Sequence, residues 1–201
     1  MRYYIISDDV LFSLGIQAYY HRRNRMMYVL GCNTRHIEFF KHFFNADDFL
    51  FISVENYELF CKVQKALMGC EVTIVPVLSG ARIAQPKTKK FYIEKNASLE
   101  CFWINSKDAI HNRRSKFIRV EGLRLVMERV GGDAAKNISI GHGVSQNHIY
   151  KQTQKLHDGY NIKAAGYYSL LLCYRLLLLN ELYPDNCNDF SYARRDALKI
   201  S

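Results

Sequence analysis

Two adjacent carboxylates, Asp8 and Asp9, follow the apolar run Tyr3–Ser7, and Lys95 follows a second apolar run at Phe91–Ile93. The carboxyl end of a strand is the edge where open α/β sheets bind ligands. Paired carboxylates there can hold Mg²⁺ through oxygen, and a lysine adds a cation at the same edge. Taken alone, Asp8-Asp9 also fits a solvated turn at a helix start. Ser53 and Ser79 end two further apolar runs at that expected edge, with Glu55 two residues beyond Ser53. A serine cannot form an acyl phosphate or complete a Mg²⁺ site, so neither phosphotransfer nor a resident metal or cofactor is expected.

A second set of residues suits a different chemistry. Ser145 is a preferred helix N-cap, because its hydroxyl accepts from an otherwise orphan N–H. Beyond it, Ile149, Thr153, Leu156 and Tyr160 recur at helical spacing and predict one packed face. Asn147, His148, Lys151, Gln152 and Lys155 fall on the other side, and no acidic residue lies between Ser145 and His157. Asn and Gln can bond adenine edges, while Lys reaches guanine or phosphate, so this side suits a major groove. A solvated polar face is the ordinary alternative. Against it stand the short helix and glycine turn that precede it, and the charge around it.

That charge is concentrated. The chain carries a formal +9 over 201 residues. Residues 1–108 hold fourteen cations against eleven acids, residues 109–163 ten against four, and residues 164–201 four against four. The middle stretch points to a polyanionic partner. Besides the helix it includes Lys136, Arg113, Arg114 and Lys116, which suit phosphate contacts that neutralise charge without reading sequence.

Around these residues the first half alternates strands and helices. Strands are predicted at Tyr3–Ser7, Met26–Leu30, Phe49–Val54, Val72–Leu78 and Phe91–Ile93. Helices are predicted at Val10–Arg23, Arg35–Phe44 and Tyr57–Met68, with another starting at Leu99–Ile104. In the first helix Leu11, Leu14, Ile16 and Ala18 are available to a core. This alternation implies βαβ units and a parallel sheet. Between Leu78 and Phe91 a full helix is not expected, since Pro86 disfavours helix at the residue before it. Lys107–Lys116 is polar and basic without apolar period and reads as a linker. Four helices follow, at Gly122–Val130, Ala134–Ile140, Ser145–His157 (led into by Val144-Ser145) and Ala164–Leu182, broken by Gly131-Gly132 and Gly141-His142-Gly143. The expected organisation is an α/β domain over 1–106, a linker over 107–116, an all-α domain over 117–183 and a tail over 184–201.

Ile5-Ile6-Ser7-Asp8-Asp9, Leu11-Phe12-Ser13-Leu14-Gly15 and Lys95-Asn96-Ala97-Ser98 resemble the receiver domain of NarL/LuxR-type response regulators, a flavodoxin-like parallel-sheet fold. Gly132, Lys136, Ile138, Val144-Ser145, His148-Ile149-Tyr150 and Tyr160-Asn161-Ile162 resemble their helix-turn-helix, so the likeness spans residues 2–178. It implies that Ser53 stands at the phosphoacceptor position, that Ser79 is the hydroxyl facing a phosphoryl group, and that Asp8, Asp9 and Lys95 are relics of the acidic site. The loss of the acceptor aspartate is similar to that of auxiliary members, which act without phosphorylation and often pair with a second regulator. The sequence departs from the family pattern at His142 for a core leucine, Ser139 for alanine, Gly159 for lysine, and Glu121, one residue out of register.

Six cysteines at 32, 61, 70, 101, 173 and 187 form no C-x-x-C pair and no zinc spacing, so free thiols in a reducing cytoplasm are expected. Met1–Ile6 reads as a strand rather than a targeting segment. The apolar run Tyr167–Leu179 is interrupted by Arg175 and is shorter than the roughly 20 residues of a spanning helix. A packed helix is expected there, and the resemblance implies a dimer interface on it. The resulting expectation is a non-enzymatic, cytoplasmic transcription regulator that binds double-stranded DNA as a homodimer or with a related regulator. A protein-interaction adaptor that never touches DNA is the alternative.

Overall fold

Strands covered on both faces read as continuous apolar runs, because crossover helices shield a parallel sheet from water on either side. Tyr3–Ser7 (β1), Phe49–Ser53 (β3) and Thr73–Leu78 (β4) follow this pattern and are buried at every position. Met27–Leu30 (β2) and Ile93–Glu94 (β5) complete a five-stranded sheet of order β2-β1-β3-β4-β5, parallel throughout. This is the flavodoxin-like doubly wound order, with its switch point between β1 and β3. The computed structural model describes residues 1–81, 92–113, 123–164, 166–180 and 182, apart from the side chains of 111–113 and 123. Phe91, Pro86 and the tail over 184–201 lie outside the described residues.

The helices of the sheet unit are Val10–Arg22 (α1), Thr34–Phe40 (α2), Tyr57–Ala66 (α3) and Leu99–Arg113 (α4), with a 3-10 turn at Lys41–Phe43 after α2. Its core joins Tyr3, Ile5 and Phe51 of the sheet to Ile16 and Tyr20 of α1 and to Phe102 and Ala109 of α4. Of the four residues of α1 expected inside, only Ile16 is buried; Leu11 and Leu14 remain 83% and 48% exposed, and Ala18 is exposed. The N-cap at Asp9 sets the helix phase so that Ser13, Ile16 and Tyr20, at i, i+3 and i+7, meet the sheet. Tyr20 alone fills much of that contact, edge-on to Tyr3 at 5.1 Å and to Trp103 at 5.0 Å between ring centroids.

The linker expected over Lys107–Lys116 is corrected in its first part. Residues 107–113 are the end of α4. Trp103, Ser106, Ala109 and Ile110 recur at helical spacing and turn inward, with Ala109 wholly buried and Ser106 bonded to Tyr20 Oη at 3.3 Å. A small residue and a serine carry the period, so the polar residues between them hide it. Among the described residues, 92–113 belong by their contacts to the sheet unit, and 123–164 and 166–180 to the helical unit.

The helical unit contains Leu123–Val130 (α5), Ala135–His142 (α6), Gln146–Tyr160 (α7) and Tyr167–Asn180 (α8). Leu125 of α5, Ala135 and Ile138 of α6 and Ile149 of α7 form one apolar cluster, with Val144 of the turn packed against it. Helix α8 packs on α5 and α7, and Leu170, Leu172, Cys173, Leu176, Leu177 and Leu179 are buried in the single chain. That burial takes up apolar surface which the resemblance assigns to a dimer interface. No helix among the described residues is long and apolar enough to cross a membrane.

Candidate functional site

The turn after β1 arranges its own carboxylates. Ser7 Oγ accepts from Asp9 N at 3.0 Å, and Asp9 Oδ1 accepts from Phe12 N at 3.0 Å, which caps α1. Asp8 Oδ2 accepts from the backbone N–H groups of Glu55 and Asn56 at 2.8 and 2.9 Å, tying the β1 turn to the β3 turn. Asn56 in turn caps α3 through Leu59 N.

Lys95, directly after β5, closes the cluster. Its Nζ lies 2.9 Å from Asp9 Oδ2 and 2.7 Å from Glu55 Oε1, and 5.2 Å from the centroid of Phe12. The Phe12 N–H and the Lys95 ammonium hold the Asp9 carboxyl below its ordinary value. Burial lowers the Lys95 ammonium, but hydrogen bonds to Glu55 and Asp9 outweigh it and the net shift is upward. Nearby Cys32 is pushed up to about 11 by burial and then by the Asp8 charge, which leaves it a poor nucleophile.

The structure therefore brings Asp8, Asp9 and Lys95 to one edge, with Ser79 half-buried on the turn after β4. Ser53 lies inward of them, 1% exposed, and its Oγ has no hydrogen-bond partner. Both Asp9 oxygens and Asp8 Oδ2 are engaged by N–H groups or the Lys95 ammonium. Among the described residues no group of three His, Cys, Asp or Glu side chains is placed to hold a metal. Glu55, two residues beyond Ser53, serves as a counter-charge to Lys95. Sequence reasoning missed that pairing, since only the strand order brings the ends of β3 and β5 together.

The second arrangement lies on α6 and α7. Gly143 ends α6 at φ +63°, and Ser145 Oγ accepts from His148 N at 3.1 Å to start α7. Two departures from the family pattern acquire partners here. His142 Nε2 sits 2.8 and 2.9 Å from the two Glu128 carboxylate oxygens, and Ser139 Oγ donates to Val144 O across the turn. Asn161 closes α7 at φ +55°, a conformation that asparagine tolerates better than most side chains.

Along α7, Ser145, Asn147, His148, Lys151 and Lys155 are exposed, as is Lys136 on α6. Gln152 is a correction. It is only 4% exposed, beside Ile149 and Leu156 at i−3 and i+4, so it cannot read a base from the outer face. The buried stripe runs through Ile149, Gln152, Leu156 and Tyr160 with His157 beside it, and Thr153 is only half-buried. Tyr150 and Gln154 take the place of Gln152 outside. Asn147, Tyr150, Lys151, Gln154 and Lys155 stand at i, i+3, i+4, i+7 and i+8, a spacing that would have marked them as one face. The side chain of Arg113 and all of Arg114 and Lys116 lie outside the described residues.

No family model and no curated protein matches the sequence. Among solved structures the chain is similar to the response regulator StyR, at 10% identity and a TM-score of 0.32, over 88% of this chain and 100% of that one. It is similar to ChrA, the response regulator of a heme-sensing two component system, at 9% identity and a TM-score of 0.31, over 89% and 98%. The RcsB response regulator of Salmonella typhimurium gives 12% identity and a TM-score of 0.33, over 90% and 99%. Likeness at these scores decides neither fold nor function.

Proposed function

We propose that this chain is a sequence-specific DNA-binding transcription regulator of the LuxR/NarL type that acts without phosphorylation. In this reading α6, the Gly143 turn and α7 are a helix-turn-helix, and α7 enters the major groove. The observation that carries it is the outer face of α7, where Asn147, His148, Tyr150, Lys151 and Lys155 are all exposed and the first carboxylate, Asp158, comes only in the last turn, where it accepts from Gln154 at 2.7 Å. Base edges in the major groove offer donors and acceptors to Asn and Gln, and phosphates and guanines attract Lys. Lys136, Arg113, Arg114 and Lys116 neutralise phosphates. The sheet unit has no acceptor carboxylate at Ser53 and its remaining carboxylates are engaged, so it sets dimerisation or partner choice by shape. The regulator works as a homodimer or with a related regulator, in the cytoplasm, and makes or breaks no bond.

Selection of duplexes from a random pool by the full chain, at two salt concentrations, tests this. The expected result is an enriched motif with half-sites about one helical turn apart. Lys151→Ala and Lys155→Ala weaken binding: uniformly and with a shallower salt slope where the residue contacts phosphate, or with lost site preference where it reads a base. Unchanged affinity in both variants would show that the face is only solvated.

One observation favours a second reading, a protein-interaction adaptor that modulates another regulator. Phe39 and Phe40 at the end of α2 and Phe43 of the 3-10 turn after it are 62%, 37% and 53% exposed, with ring centroids 5.2 to 6.4 Å apart. Exposed aromatic clusters of this kind mark protein-binding surfaces. Failure of the full chain to bind any duplex would favour this reading.

A further inference from the structure

From Val10 to Ile37 the chain contains no Asp or Glu, yet it carries Arg22, Arg23 and Arg25 within four residues, after His21. The structure places these cations beside another element. The Arg23 guanidinium carbon lies 4.9 Å from the Tyr19 ring centroid and 5.4 Å from that of Trp103, while Nη2 donates to Tyr19 Oη at 2.7 Å. Lys107 of α4 places its Nζ 4.9 Å from the same Trp103 ring. Arg22, Arg23, Arg25 and Lys107 are exposed, and none forms an ion pair with a described residue. His21 and Arg25 also line a surface concavity of about 460 Å³ between α1 and the start of β2.

Cations at the last turn of a helix complement its dipole, which accounts for Arg22. The dipole does not account for Arg25, beyond the helix, or for Lys107 on a different helix. Two cations drawn to one indole, with no carboxylate between them, repel each other until an anion enters. We propose that this α1–α4 surface of the sheet unit is a second phosphate-binding surface, one that grips the DNA backbone without reading sequence.

Other occupants fit less well. A second copy placed here about a two-fold axis would set like charges against each other. A membrane surface would need a continuous apolar patch among the cations. Only Leu14 and Met26 stand beside His21 and Arg25, while the exposed Val10 and Leu11 lie about 16 to 18 Å from Arg22 at 1.5 Å per residue. A nucleic-acid backbone matches the charge, since its phosphates pair with Arg and Lys without base contacts. The proposal rests on the DNA-binding reading of α7 for its choice of polyanion, and one experiment separates the two.

The full chain, an α7 variant (Lys151→Ala with Lys155→Ala), an α1–α4 variant (Arg22→Gln, Arg25→Gln and Lys107→Gln) and their combination are titrated with a long random-sequence duplex across salt concentrations. Circular dichroism confirms that each is folded; Arg23, packed on two rings, is left in place. The expected result is uniform weakening in the α1–α4 variant, with the slope of log K against log salt lower by about 2 to 3, near 0.9 for each phosphate that is no longer neutralised. An α1–α4 variant with unchanged affinity and slope, beside a weakened α7 variant, would overturn this proposal alone. Normal binding by the α7 variant, beside a weakened α1–α4 variant, would overturn the α7 reading and leave this surface standing. Binding to anionic lipid vesicles but to no duplex would overturn both.

Discussion

Asp9 uses its two carboxylate oxygens for different purposes, and substitution can tell them apart. Oδ1 caps α1 and Oδ2 meets Lys95. Asparagine is as good a cap as aspartate but carries no charge, whereas alanine is neither. Asp9→Ala should therefore lower unfolding free energy by about 1 kcal/mol, and Asp9→Asn by clearly less, as read from urea midpoints at neutral pH. Because the Asp9 carboxyl is held below its ordinary value of 3.8 in the folded chain, its contribution is complete above that value. It is lost as pH falls through the lower folded value. Asp9→Asn should thus show a shallower loss of stability than wild type below about pH 4. Ser53 offers a contrasting case: its buried hydroxyl bonds to nothing, and an unmet buried hydroxyl costs about 1 to 3 kcal/mol. Ser53→Ala should raise stability by about 1 kcal/mol, and a clear loss would show that the hydroxyl has a role. Asp8, Asp9 and Lys95 were legible from sequence because strand ends locate them. Glu55 was not, since its pairing depends on which strands share an edge. Gln152 was misplaced because polarity was read before helical phase.

Elements were legible where apolar spacing was strong and their ends less so. The three fully buried strands and the N-cap at Ser145 could be read directly. The length of α4 could not, because its inward face is carried by Trp103, Ser106, Ala109 and Ile110 rather than by aliphatic residues. Nor could the facing of α1, since Leu11 and Leu14 look like core residues until the Asp9 cap fixes the phase. The α6–α7 turn gives a paired test. Gly141 and Gly143 have no atom within 4 Å of an added Cβ, so backbone preference decides the outcome at both. Gly141 lies within α6 at ordinary helical angles, and Gly141→Ala should stabilise by about 0.5 to 1 kcal/mol. Gly143 sits at φ +63°, and Gly143→Ala should destabilise by about 1 kcal/mol. Opposite shifts in thermal midpoint from two neighbouring glycines would confirm the left-handed turn that starts α7. Equal shifts would argue against it.

At the scale of the whole molecule, each unit has its own apolar core, one centred on Tyr20 and Phe51 and the other on Leu125, Ile138 and Ile149. The chain's single tryptophan, Trp103, belongs to the sheet unit, where it lies edge-on to Tyr20. Tryptophan fluorescence therefore reports the sheet unit, while helical circular dichroism draws on both. Leu156 is wholly buried on α7, and Leu156→Ala removes three carbons from the helical core at a cost of about 2 to 5 kcal/mol. Two cores that hold separately predict that this variant loses part of its helical signal at lower urea while the fluorescence midpoint stays at the wild-type value. Duplex binding should disappear with the first transition, because the exposed face of α7 exists only when Ile149, Leu156 and Tyr160 are packed behind it. A fluorescence midpoint that falls in step with the helical signal would mean that the two cores unfold together. The helical unit would then depend on the sheet unit for its stability.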